Sequence, residues 1–223
     1  MVIAEDGSAG YEQDGPAVNG QDRQDTDRWP DVPGDTALTI KVPEADPLVR
    51  AGFPAHVTVL YPFVHTSRLD ARFHSELTGL LAAHDAFTLT FAGFARYPGV
   101  LYLDPRPHDP VKALTVGLTS RWPELRPYRG LFGAGLDPHL TIANSEGPET
   151  QDAAYDALQA ELAPRLPLQC RVREIHLVVW DGERWRDREV YRLAGGRTTR
   201  RRGQSGGSGA APAGVTLAHL RSD

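Results

Sequence analysis

Pro54-Ala55-His56-Val57-Thr58-Val59-Leu60-Tyr61-Pro62-Phe63 is echoed downstream by Pro138-His139-Leu140-Thr141-Ile142-Ala143-Asn144. Both stretches read His, apolar, Thr, apolar. Side chains of a β-strand alternate faces, so His56 and Thr58 share one face while Val57 and Val59 share the other. His139 and Thr141 repeat the arrangement against Leu140 and Ile142. Each strand therefore offers apolar residues to a core and an imidazole beside a hydroxyl to the opposite side. Of the 8 histidines, His65, His74, His84, His108, His176 and His219 have no threonine at this spacing and read as surface or structural residues.

The surrounding pattern repeats as well. Leu69, Phe73, Leu77, Leu80 and Leu81 fall on one face of a helix over about 68–84. Alternation returns at Phe87, Leu89 and Phe91, and a second strand begins at Val100 after the Tyr97-Pro98-Gly99 turn. A helix over about 110–122 follows, with Val111, Leu114 and Leu118 on one side, and Pro123 stops it. After the second His strand, Pro148 opens a helix that presents Tyr155, Leu158 and Leu162. A long strand over 168–180, out of phase between Val172 and Ile175 as at a bulge, turns at Asp181-Gly182 into a last strand over 185–193. His56 precedes Phe87 by 31 residues and His139 precedes Leu168 by 29. The chain thus predicts an α+β fold: two β-α-β-β units, bilobal, related by a pseudo-two-fold axis that brings the two imidazoles face to face across a central cleft.

Composition bounds the rest. The 223 residues carry a net charge of −5 and are 40% hydrophobic, enough for a substantial core. Residues 1–35 hold nine acids against two arginines, and 195–223 hold five arginines against one acid. The first segment is expected to be a disordered acidic tail and the second a flexible Gly/Arg/Ser-rich tail, leaving 36–194 as the folded domain. The near-neutral middle excludes a basic nucleic-acid platform. Cys170 stands alone, so no internal disulfide and no cysteine-based metal site is expected. No basic leader followed by an apolar run, and no stretch of about 18 apolar residues, occurs, so a cytoplasmic monomer without membrane contact is expected.

Two His-x-Thr strands in a duplicated α+β chain resemble the 2H phosphoesterase superfamily. Leu60-Tyr61-Pro62-Phe63, Pro98-Gly99-Val100-Leu101-Tyr102-Leu103 and Pro127-Tyr128-Arg129-Gly130-Leu131-Phe132-Gly133 are similar to its 2′-5′ RNA ligase-like branch. The resemblance covers about residues 36–194. It implies metal-independent chemistry on phosphodiesters, often 2′,3′-cyclic phosphates or 2′-5′ linkages, with no cofactor and with a nucleotide or RNA end as substrate. His56 and His139 are then the general acid-base pair, which titrates near neutral pH. The Thr58 and Thr141 hydroxyls bind the phosphate oxygens. Tyr61, Tyr128, Arg129 and Phe132 are candidate substrate contacts, by stacking on a base or neutralising a phosphate. No His-x-His or His-x-x-x-His supplies metal-chelating geometry. The alternative from another class is a non-catalytic module that binds a nucleotide or RNA end. A purely structural protein would leave the repeated His/Thr face unexplained.

Overall fold

The computed structural model describes residues 31–51, 53–132, 136–144 and 148–195; for 148–153 it describes the backbone only. Most of the two expected tails, residues 1–30 and 196–223, lies outside these residues. Among the described residues, eight strands alternate with three α-helices in the order β1 (Thr36–Lys41), β2 (His56–Leu60), α1 (Ala71–Ala82), β3 (Phe87–Tyr97), β4 (Val100–Arg106), α2 (Asp109–Arg121), β5 (Leu140–Asn144), α3 (Pro148–Leu162), β6 (Leu168–Val172), β7 (Glu174–Trp180) and β8 (Trp185–Arg192).

The strands form two antiparallel four-stranded sheets, β2-β1-β7-β8 and β5-β4-β3-β6. In each, the His strand lies at the edge and its neighbour is the strand that precedes it in the chain. The two edge strands, β2 and β5, contact one another. This is the bilobal α+β arrangement with equivalent His strands on either side of a cleft.

Alternation decides which face is buried. Val57, Val59, Leu140 and Ile142 are at most 3% exposed, whereas His56, Thr58, His139 and Thr141 are only partly covered. Helix α1 packs against β8 and α2 against β2, contributing Leu77, Leu81, Leu114 and Leu118 to the core. Asp70 caps α1 by accepting from the Phe73 amide at 2.7 Å. Phe73 in turn stacks on Trp122, just past the end of α2, at 4.6 Å. A 3-10 turn over Pro43–Leu48 lies against β6, and one apolar core runs continuously through both lobes. None of the described helices is long and apolar enough to cross a membrane.

Two expectations need correction. The single bulged strand over 168–180 is two strands: β6 pairs with β3, β7 pairs with β1, and the chain crosses from one sheet to the other at Arg173. Residues 31–35 are also part of the fold and not of a tail. The Gly34 amide donates to the Trp180 carbonyl at 2.8 Å, and the Trp180 amide to the Asp35 carbonyl at 2.8 Å. These bonds extend β1 backwards along β7, so five residues rich in Asp, Pro and Gly are held by backbone pairing that hydrophobic periodicity does not register.

Leu140 is fully buried on the core face of β5. Leu140→Ala should cost about 2–5 kcal/mol of stability, read as a lowered urea midpoint. A loss well under about 1 kcal/mol would mean that β5 does not turn this face inward.

Candidate active site

His56 opens β2 and His139 immediately precedes β5, and their rings are held alike. His56 Nδ1 donates to the Pro54 carbonyl at 2.8 Å and His139 Nδ1 to the Asp137 carbonyl at 3.0 Å. Each bond reaches back two residues, as an extended strand entry allows. With the proton fixed on Nδ1, the neutral ring presents Nε2 as an acceptor. Burial holds both imidazoles below their ordinary value of 6.5, with the carbonyl bonds opposing it. Charge on His139 lowers His56 further, so the two rings sense each other across the cleft.

Two hollows flank Thr58 and Tyr61. One, of about 300 Å³, is lined by His56 together with Phe53, Thr39, Lys41, Trp185 and Asp187. The other, of about 380 Å³, is lined by His139 together with α2 and the segment after it. The sequence-derived residues converge here unevenly. Tyr128 is in the wall beside β2, its phenol hydrogen-bonded to Thr58 and held above its ordinary value by burial. Its ring meets Phe132 at 5.4 Å and Tyr61 at 6.1 Å. The Tyr61 hydroxyl donates to Asp31, and burial with that bond raises its pKa. Arg129 points its guanidinium toward Asp35 at 3.8 Å and lines neither hollow. Thr141 pairs in register with Tyr102 on the neighbouring strand.

Several neighbours escape a reading of the motifs alone. The rings of Tyr97 and Tyr102 each stand 5.5 Å from His139, and Phe53 stands 5.2 Å from His56. Asp137, whose carbonyl anchors His139, has its carboxylate bound by Lys112 at 2.6 Å and approached by His108 Nδ1 at 3.5 Å. Lys112 holds that carboxyl below the usual range. His108 is buried, and its Nε2 contacts Asp104 at 2.7 Å. On the opposite lobe Lys41 pairs with Asp187 at 2.5 Å. Tyr102 lies within the Gly99–Leu103 run quoted above, and Lys41 shares a strand face with Thr39. Phe53 and Asp137 sit just ahead of the histidines they contact, whereas Tyr97, Lys112, His108 and Asp187 come from distant parts of the chain and give no local signal.

The fixed tautomers are measurable. Long-range proton-nitrogen spectra should place both His56 and His139 in the Nδ1-H form, with titration midpoints below 6.5, since burial disfavours the cation. Rings that titrate at or above 6.5 in mixed tautomers would contradict the buried, carbonyl-anchored geometry.

Residues 37–184, well over half of the chain, match the family model of the 2′-5′ RNA ligase superfamily. Sequence comparison with curated proteins finds no match. Among solved structures, LigT of E. coli complexed with 3′-AMP is 16% identical, with a TM-score of 0.49, over 73% of this chain and 99% of that one. TT0787 of Thermus thermophilus is 18% identical, with a TM-score of 0.49, over 71% and 97%. Usb1 of Kluyveromyces marxianus is 13% identical, with a TM-score of 0.39, over 70% and 97%. The chain belongs to the 2′-5′ RNA ligase superfamily, within the 2H phosphoesterases that its paired His-x-Thr strands resemble.

Proposed function

We propose that the protein is a metal-independent phosphodiesterase acting on a 2′,3′-cyclic phosphate or a 2′-5′ linkage of a nucleotide or RNA end. The observation that carries this reading is the matched pair of imidazoles, each partly buried and tied through Nδ1 to the carbonyl two residues back. Binding alone requires no such pair of titrating groups; proton transfer in both directions does.

In this reading the phosphate lies between the two strands. A water attacks phosphorus and passes its proton to Nε2 of the neutral imidazole. The bond from phosphorus to the ribose oxygen breaks, and that oxygen takes its proton from the other, protonated ring. The product is a monoester, and the pair has exchanged its proton state. Ligation follows the same path with a hydroxyl of a second nucleotide in place of the water: it attacks the cyclic phosphate, gives its proton to the neutral ring, and the departing ribose oxygen takes one from the other. Thr58 and Thr141 donate to the non-bridging oxygens as charge builds there, and Tyr128 holds Thr58 on its strand face. His56, Thr58, His139 and Thr141 carry the chemistry, while Tyr61, Tyr128 and Phe132 border the substituents.

The test is turnover of nucleoside 2′,3′-cyclic monophosphates with EDTA present. His56→Ala and His139→Ala should each lower kcat by about a hundredfold or more, the scale of a lost general acid or base. The double variant should be little worse than either single one, because the two groups act as a unit. Loss of wild-type turnover in EDTA would instead point to a metal. Binding without turnover in the wild type would favour the non-catalytic module.

The pH profile of kcat/KM carries a second expectation. One ring must be neutral and the other charged, which gives a bell whose limbs belong to the pair. Burial lowers both rings from 6.5, so the bell should be centred on the acidic side of that value. A monotonic profile, or a bell centred above 6.5, would contradict paired proton transfer from these positions.

A further inference from the structure

We infer that the cleft continues past the hollow beside His56 into a second anion site, which takes a phosphate on the 5′ side of the bound nucleoside. This rests on the phosphodiester reading above and specifies its substrate class: a nucleoside that carries phosphate at both ends of its sugar.

Strand register lays out the path. Residues opposite one another in an antiparallel pair share a face. Lys41 is opposite His56 and Thr39 opposite Thr58, and across β1 Thr39 is also opposite His176. On β8, Val190 is opposite His176 and Arg192 opposite Glu174. The open face of this sheet thus runs from the His-Thr pair, across Thr39 and Lys41, to Glu174, His176 and Arg192. Its other face is Leu38, Ile40, Ile175, Leu177 and Tyr191, each at most 3% exposed. Neighbouring strands lie about 4.8 Å apart, which puts Arg192 of β8 about 14 Å from His56 of β2 at the backbone, more than one phosphate spans.

A hollow of about 470 Å³ occupies the far end of that face and shares Lys41 with the hollow beside His56. Its wall carries Lys41, Arg171, Arg173 and Arg192 against two carboxylates, Glu44 and Glu174. Both carboxylates are engaged by other groups, Glu44 by the Cys170 thiol and Glu174 by His176 Nε2 at 3.4 Å. Among the described residues, Arg173 and Arg192 form no ion pair, and Arg171 has only a hydrogen bond to the Thr88 hydroxyl at 3.3 Å. Guanidiniums that share a hollow and lack a carboxylate suit a phosphate. The near-neutral middle of the chain offers no extended basic platform, yet here its cations gather at one end of one sheet.

Both hollows beside Thr58 have rings on which a base can stack, but that beside His139 shares no residue with the cationic one. In the hollow beside His56, Tyr61 and Trp185 lie toward the Thr36 end of β1 and the cations toward its Lys41 end. A base stacked on those rings, with its 2′,3′ phosphate on Thr58, leaves the 5′ carbon of the sugar facing the cations.

The test is calorimetric binding of three product-like ligands to the full chain, with each of the four bases in turn. They are the nucleoside 3′-phosphate, the nucleoside 3′,5′-bisphosphate and the 3′-phosphorylated dinucleotide, whose second phosphate is an internal diester. A 5′ phosphate of either kind should tighten binding about tenfold or more at low salt, as charge-assisted hydrogen bonds do, and the advantage should shrink as salt rises. The tighter of the last two ligands shows whether the site is made for a terminal phosphate or for a strand. Arg173→Glu and Arg192→Glu, at exposed positions, should each remove most of the advantage, while Arg165→Glu, an equal change of charge outside the hollows, should keep it. Equal affinity for the three ligands overturns the inference, as does an advantage that survives both reversals or falls as much in Arg165→Glu. Binding is read without turnover. Equal affinities with normal hydrolysis of cyclic phosphates would sink the 5′ site alone, whereas a 5′ advantage without any hydrolysis would sink the catalytic reading alone.

Discussion

Two hydrogen bonds of one design set the chemistry of the cleft: the Nδ1 proton of His56 on the Pro54 carbonyl, and that of His139 on the Asp137 carbonyl. A ring reaches the carbonyl two residues back when the chain enters its strand extended. Proline secures that entry on both sides, Pro54 in the first copy and Pro138 in the second. The residue before a proline is itself pushed toward extended backbone, which places the Asp137 carbonyl as the acceptor in this arrangement. Once Nδ1 is committed, Nε2 is the only ring nitrogen left for the cleft. Burial then favours the neutral ring, so tautomer and protonation follow from the same local geometry.

The walls of the site follow from a second constraint. Both His strands are edges, and an edge leaves a row of backbone groups to be satisfied. The Val59 carbonyl accepts from the Thr115 hydroxyl at 2.7 Å, which ties α2 to β2. The Ile142 carbonyl accepts from the Arg50 amide at 2.7 Å, and the Tyr61 carbonyl from the Tyr128 amide at 2.6 Å. The last bond seats the loop that carries Tyr128 over Thr58, with Tyr128 and Arg129 at φ of 49° and 54°. That left-handed backbone is uncommon outside glycine, and here the amide bond and the buried phenol hold it in place. The segments that protect the edges are thus the segments that line the hollows.

These two constraints explain what could be read from the sequence. Alternation within five residues shows which side of β2 and β5 carries the imidazoles, and the repeat supplies the second ring. The helices were legible because Leu77, Leu81, Leu114 and Leu118 lie at helical spacing, and Pro123 marks an end. The crossing at Arg173 was not legible, since a chain that changes sheets and a chain that bulges both put one residue out of phase. Lys41 and Asp187 lie 146 residues apart, and no local pattern joins them. His108 read as a surface or structural residue for want of a threonine partner. Its burial depends on Asp104 and Asp137, brought together by β4, α2 and the entry to β5. The positive φ at Tyr128 and Arg129 falls on residues whose side chains give no warning of it.

The repeat makes the two imidazoles equal, and everything around them makes them different. His139 stands against the rings of Tyr97 and Tyr102, and its anchoring residue Asp137 is tied by Lys112 and approached by His108. His56 stands against Phe53, beside the Lys41–Asp187 pair. The acid-base chemistry proposed above would gain from this inequality, by up to about twofold in the productive fraction. Two rings of identical affinity would share one proton evenly, and half of the singly protonated molecules would hold it on the wrong side for a given direction of reaction. Duplication supplies a pair of matched groups. The unmatched side chains drawn in from α2, β4, β8 and the loop after α2 are what can bias the proton to one ring and shape a different hollow on each side of Thr58.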